Sequence, residues 1–246
     1  MYLFWVIIIP LIGTMLGSFL AIFIKKINNK IEAIMLGFAS GVMVAASIWS
    51  LLIPAIEKSE YLKRLSFIPA VVGFFLGALL IVIFDFIEKK SNNKKSRNEK
   101  LIFAVLIHNI PEGLAVGVCA ALAMKSSLDV LMIEALIFSI GISVQNIPEG
   151  MIVSMPLDNY NSLKKQLSSG FISGIVEPIS ALIAFLLSSF VSVVLPYCLA
   201  FAAGCMIFVV VNDLLTNDNV VGLSNYLSIS FSIGFCIMMV LDVIFS

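Results

Sequence analysis

Apolar residues run along this chain in long, nearly unbroken stretches, and the charged residues fall between them. Eight such stretches can be placed, at about 2–24, 31–54, 67–87, 101–123, 130–156, 167–190, 193–215 and 222–245. Each is close to the roughly 20 helical residues needed to cross a hydrocarbon layer of about 30 Å. Backbone polar groups have no partner in lipid unless they pair within the segment, so stretches of this kind form helices. The alternation of apolar and polar residues that a membrane β-barrel needs is absent. The pattern predicts an all-α, polytopic integral membrane protein with eight transmembrane helices. The first stretch begins at Tyr2 with no basic residue before it, and it reads as a span rather than a cleavable signal peptide.

Composition strengthens this reading. Hydrophobic residues make up 61% of the 246 residues and charged residues 12%, against about 45–50% and about 25% in soluble domains. The four cysteines (Cys119, Cys198, Cys205, Cys236) lie in apolar stretches with no C-x-x-C pair, and they read as small core residues.

Charge sets the expected orientation. Loops 1, 3 and 5 hold eleven Lys and Arg residues (Lys25, Lys26, Lys30, Lys89, Lys90, Lys94, Lys95, Arg97, Lys100, Lys164, Lys165), and the even loops hold four (Lys58, Lys63, Arg64, Lys125). The positive-inside rule places the first group in the cytoplasm, and eight spans then leave both termini extracytoplasmic. The stretch 88–100 (EKKSNNKKSRNEK) reads as a solvated, flexible cytoplasmic loop within a single membrane domain covering 1–246. The net charge of zero says nothing about nucleic acid, because most charges are segregated into loops, and no nucleic-acid partner is expected. The partner is the bilayer.

The chemistry concentrates in the fourth and fifth spans. His108-Asn109-Ile110-Pro111-Glu112-Gly113 lies in the fourth, and Gln145-Asn146-Ile147-Pro148-Glu149-Gly150 in the fifth. The pentapeptide N-I-P-E-G thus occurs twice, at mid-depth, in two consecutive spans of opposite direction. The sixth span adds Glu177-Pro178. An ionisable residue at that depth costs about 2.5–3.5 kcal/mol on insertion scales, so three glutamates oppose insertion by roughly 8–10 kcal/mol. No intramembrane Lys or Arg is present to neutralise them, and a bound cation is the simplest compensation. Residues i and i+4 share a helix face, so His108 and Glu112 project together, as do Gln145 and Glu149. Pro111 and Pro148 each remove a backbone donor, which predicts kinked central helices with loosened carbonyls at Ile107 and Val144. Imidazole, carboxylate and amide oxygen form a set of intermediate hardness, suited to Zn²⁺, Fe²⁺, Mn²⁺ or Cd²⁺.

These motifs resemble the ZIP family of zinc- and iron-transporting membrane proteins, in particular its bacterial zinc-uptake and GufA-like branches. The family's H-N-x-P-E-G of the fourth span is matched in full by His108–Gly113. Its fifth-span counterpart is matched by Gln145–Gly150 except that Gln replaces His. Its S-G-x-x-E-P is matched by Ser173, Gly174, Glu177 and Pro178. Gly37–Ala46 and Phe201–Met206 are also similar to family sequence. The resemblance implies transport of Zn²⁺ and related ions toward the cytosol across the cell membrane, with no cofactor, through a binuclear site. One ion would take His108, Glu112, Gln145 and Glu149, with Met43 near. The other would take Asn109, Asn146, Glu149 and Glu177. Asp85 and Asp213 would stand near an exit. The chain departs from the family in carrying Gln145, in a 3–4 loop without histidine, and in Asn212 and Asn217 where acidic residues are common.

Two further readings stand beside this one. An intramembrane metalloenzyme would need a motif such as H-E-x-x-H, and this chain has one histidine. The G-x-x-x-G spacing of Gly37 and Gly41 permits close helix packing, either within the chain or in a homodimer.

Overall fold

The computed structural model describes residues 2–23, 28–90, 97–126, 129–154, 163–214 and 222–245. Among them, eight helical segments are long and apolar enough to cross a membrane. The first span is α1 (Tyr2–Ala21). The second is α2 (Asn29–Ala46), continued by a π-helical turn over Ser47–Leu52 and a short α3 (Ile53–Glu57). A 3₁₀ stretch (Glu60–Leu65) leads to the third span, α4 (Phe67–Lys90). The fourth and fifth are α5 (Arg97–Ser126) and α6 (Asp129–Val153). The sixth is split into α7 (Leu163–Gly174) and α8 (Val176–Leu186). The seventh is α9 (Ser188–Val209) with a π-helical end over Val210–Leu214, and the eighth is α10 (Ser224–Phe245). Helix takes up both ends of the segment 88–100, and residues 91–96 lie outside the described residues.

Helix runs through Pro111 and Pro148; the interrupted span is the sixth. Pro178 has no N–H for the carbonyl four residues earlier, and its ring crowds that carbonyl. The carbonyl belongs to Gly174, where α7 stops. The Ile175 N–H still reaches the Phe171 carbonyl at 2.9 Å, whereas the next bond, Ile179 to Ile175, lengthens to 3.4 Å.

In lipid, apolar side chains gain little by meeting one another, and helices associate where small residues let backbones touch. Here α1 packs along α6, α2 along α10, α4 along α9 and α5 along α8. Each pair is seated on glycine. A Cβ at Gly17 would stand 2.0 Å from the Ile147 carbonyl, and one at Gly41 2.0 Å from that of Phe231. Gly77 meets the Phe201 carbonyl and Gly117 that of Ala181 in the same way. Gly37 and Gly41 are therefore spent within the chain, against α10. The larger apolar core lies among α2, α5 and α9, and a smaller one lies among α1, α5, α6 and α8. The cysteines are free thiols, and Cys205, the buried one, directs its Sγ at the Gly77 carbonyl at 3.3 Å.

Candidate intramembrane metal site

Six polar side chains from three helices meet inside this apolar bundle. Asn109 and Glu112 come from α5, Gln145, Asn146 and Glu149 from α6, and Glu177 from α8, and each is at most 1% exposed. The helical repeat puts Asn109 and Glu112, three apart, on one face of α5, and Gln145 and Glu149, four apart, on one face of α6. Glu177 enters from the first turn of α8, just past the break.

Hydrogen bonds divide these residues into two groups. In one, Gln145 Nε2 donates to Glu112 Oε1 at 2.7 Å. In the other, Glu177 sits between two asparagines. Asn109 Nδ2 donates to its Oε1 at 2.9 Å, and Asn146 Nδ2 donates to its Oε2 at 2.8 Å. Asn109 Nδ2 also reaches the Ser173 carbonyl at 3.1 Å. That carbonyl lies in the last turn of α7, where a helix end leaves acceptors unpaired.

The amide orientations follow from chemistry. A carboxylate only accepts, so an amide facing one must present its NH₂ and turn its oxygen away. Asn109 Oδ1, Asn146 Oδ1 and Gln145 Oε1 accept no hydrogen bond among the described residues, though all are buried. A buried polar atom without a partner costs about 1–3 kcal/mol. Three unpartnered amide oxygens and three carboxylates, all buried on neighbouring helices, are oxygen donors of the kind a hard or borderline divalent cation binds.

The first helix completes the wall, which the sequence reading did not foresee. Thr14 Oγ1 lies 3.4 Å from Glu177 Oε1, and the Pro10 carbonyl lies 3.4 Å from Asn146 Nδ2. The available signal was the polar and small stripe Gly13, Thr14, Gly17, Ser18 within an otherwise apolar span.

The structure brings together Asn109, Asn146 and Glu177, and separately Glu112 and Gln145. Glu149 is buried one turn beyond Gln145. Met43 is 2% exposed and lies in the apolar core of α2 and α9. Its carbonyl accepts Ser47 Oγ at 2.7 Å, and that hydroxyl also faces Met206 Sδ at 3.8 Å. The side chains of His108, Asp85 and Asp213 lie outside the described residues, although His108 is part of helix α5. Among the described residues, no three His, Cys, Asp or Glu side chains are grouped to hold an ion by themselves. Glu112 and Glu177 are held on amides, so the donor set is mixed.

Comparison with known proteins decides the family. The family described as ZIP Zinc transporter matches residues 89–242, which take in all six polar residues. The chain belongs to the ZIP zinc transporter family. Zinc transporter ZIP11 of Xenopus tropicalis is 31% identical to this ZIP chain, over 95% of this chain and 96% of the relative. Zinc transporter ZIPB of Bordetella bronchiseptica is 28% identical over 94% and 77%. Zinc transporter GufA of Myxococcus xanthus is 29% identical over 94% and 93%. This ZIP chain is a multi-pass membrane protein.

Proposed function

We propose that this chain carries divalent transition-metal ions, Zn²⁺ foremost, across the cell membrane toward the cytosol, through an intramembrane site for two ions on α5, α6 and α8. As a ZIP protein it is a transporter of divalent metal rather than an enzyme. Its relatives are zinc transporters by name, which favours Zn²⁺ as the cargo. The donor set of carboxylates, amides and one imidazole also suits Fe²⁺, Mn²⁺ and Cd²⁺.

The observation that carries this reading is the set of three buried amide oxygens without partners, standing among three buried carboxylates. One ion takes His108, Glu112, Gln145 and Glu149, with the Met43 thioether at its edge. The other takes Asn109, Asn146, Glu149 and Glu177. Glu149 bridges them, because a carboxylate has about four lone-pair positions on two oxygens. Each ion neutralises charge that would otherwise be held in a medium where like charges repel strongly. The basic loops 1, 3 and 5 put those loops in the cytoplasm, and release on that side is what the family resemblance implies.

Uptake of Zn²⁺ by proteoliposomes tests this. His108→Ala and Glu112→Ala are expected to abolish or severely impair uptake while the protein still inserts. Wild-type uptake by either variant would sink the site.

A further inference from the structure

N-I-P-E-G is not the chain's only repeat. The π-helical turn of the second span opens at Ser47 and that of the seventh at Val210. At that same separation of 163 residues stand Phe38 and Phe201, Gly41 and Gly204, and Met43 and Met206. The packing repeats too: Gly41 rests on the Phe231 carbonyl of α10, and Gly204 rests on the Phe74 carbonyl of α4. An odd-numbered and an even-numbered span cross the membrane in opposite directions, so the first two spans and the sixth and seventh form an inverted repeat of the kind that surrounds transporter ion sites.

Carried back into α1, the same separation of 163 residues pairs Glu177 with Thr14. Packing makes the pairing independently. The glycine closing the first N-I-P-E-G, Gly113, lies against the Glu177 carbonyl, 2.4 Å from where its Cβ would be. The glycine closing the second, Gly150, lies against the Thr14 carbonyl at 2.1 Å. Thr14 and Glu177 thus occupy equivalent places on either side of the two central helices.

The Thr14 hydroxyl also lacks a short bond to the carbonyl four residues back. Hydroxyls in membrane helices usually bond the carbonyl four residues back. Ser18, Ser47, Ser180 and Ser230 do so at 2.9, 2.7, 2.8 and 2.8 Å. Thr14 Oγ1 stands 3.4 Å from the Pro10 carbonyl and 3.4 Å from Glu177 Oε1, although it is wholly buried. Both distances exceed the usual O–H···O range of about 2.5–3.0 Å, so the oxygen is committed to neither.

We infer that Thr14 is the symmetry mate of Glu177 in the second ion position, supplying a neutral oxygen from α1 beside the Glu177 carboxylate. The inference rests on the two-ion reading above. It adds a fourth helix to the site and makes residues 14 and 177 exchangeable, since Asn109 reaches the Ser173 carbonyl and Asn146 the Pro10 carbonyl, four residues before Glu177 and Thr14 respectively.

The test is Zn²⁺ titration of the purified, detergent-solubilised protein, followed by calorimetry with metal analysis of the bound fraction. Thr14→Val keeps the shape and removes the hydroxyl. It is expected to weaken one of two bound ions about tenfold and leave the other unchanged, while Thr14→Ser restores it. Glu177→Thr should lose that ion, and the double variant Thr14→Glu/Glu177→Thr should regain it. Thr14→Val holding both ions as tightly as the wild type would overturn the inference, as would a folded double variant binding no more than Glu177→Thr alone. A wild-type protein that binds no Zn²⁺ would instead refute the two-ion reading itself.

Discussion

Gln145 donates its side-chain NH₂ to Glu112 across the α5–α6 interface at 2.7 Å, and its own oxygen accepts nothing among the described residues. The pair fixes which end of the amide faces the ion. Replacing that oxygen with imidazole nitrogen gives a better donor to a borderline cation. Gln145→His is therefore expected to raise Zn²⁺ affinity while slowing turnover, because tighter binding delays release. Equilibrium binding and initial uptake rates, measured side by side, check it. Unchanged affinity would mean that residue 145 does not reach the metal.

Glu149 and Glu177 are expected to differ in what their removal takes away. Glu149→Ala should lower occupancy of both ion positions, because the bridge serves both. Glu177→Ala should spare the ion beside Glu112, since Glu177 is bonded to Asn109 and Asn146 rather than to Gln145. Anomalous scattering from metal-soaked crystals of each variant reads the occupancies. Two ions with Glu149 touching neither would refute the bridge.

Gly150→Val should loosen α1 from α6. Its Cβ would fall 2.1 Å from the Thr14 carbonyl, so the helices must part. Overpacking of this kind costs about 1–3 kcal/mol. Thermal unfolding in detergent should show a lower Tm, and uptake should fall as well because α1 backs Asn146 through the Pro10 carbonyl.

Pro10 and Ser139 form a compensating pair. Pro10 gives no N–H to the Val6 carbonyl, and Ser139 Oγ takes that carbonyl at 2.6 Å. Ser139→Ala should cost about 1 kcal/mol, the scale of a hydrogen bond between membrane helices. In a Pro10→Ala background the backbone N–H returns, and the same change should cost much less. A double-mutant cycle on unfolding free energies measures the difference. Equal costs in both backgrounds would show that the serine is not standing in for the missing donor.

Much of this was legible in the sequence for one physical reason: lipid tolerates few exceptions. The length of each apolar stretch located the spans, and α1, α4 and α10 begin within two residues of their expected starts. Asn109, Asn146 and Glu177 stood out because nothing apolar explains them, and they are found bonded together. What escaped had weaker signals. The turn between the sixth and seventh spans falls at Leu187, inside a stretch expected to be helical to 190, since no polar residue marks it. The π-helical turns at Ser47 and Val210 depend on packing and carry no residue signature. Thr14 escaped because a threonine in a membrane helix normally satisfies itself on its own backbone.

The clamp of Asn109 and Asn146 on Glu177 gives the second position its polarity. An amide is a dipole with a donor end and an acceptor end, and rotating it by half a turn exchanges them. The negative charge at residue 177 opposes that rotation by demanding the NH₂ end from both neighbours at once, and the Ser173 and Pro10 carbonyls ask for the same end. In Glu177→Gln one accepting oxygen is replaced by an NH₂, so residue 177 can satisfy only one of the two asparagines, and the other is left with its backbone carbonyl alone. One carboxylate thus orders two amides on two different helices, and its loss disturbs their orientation as well as subtracting a donor.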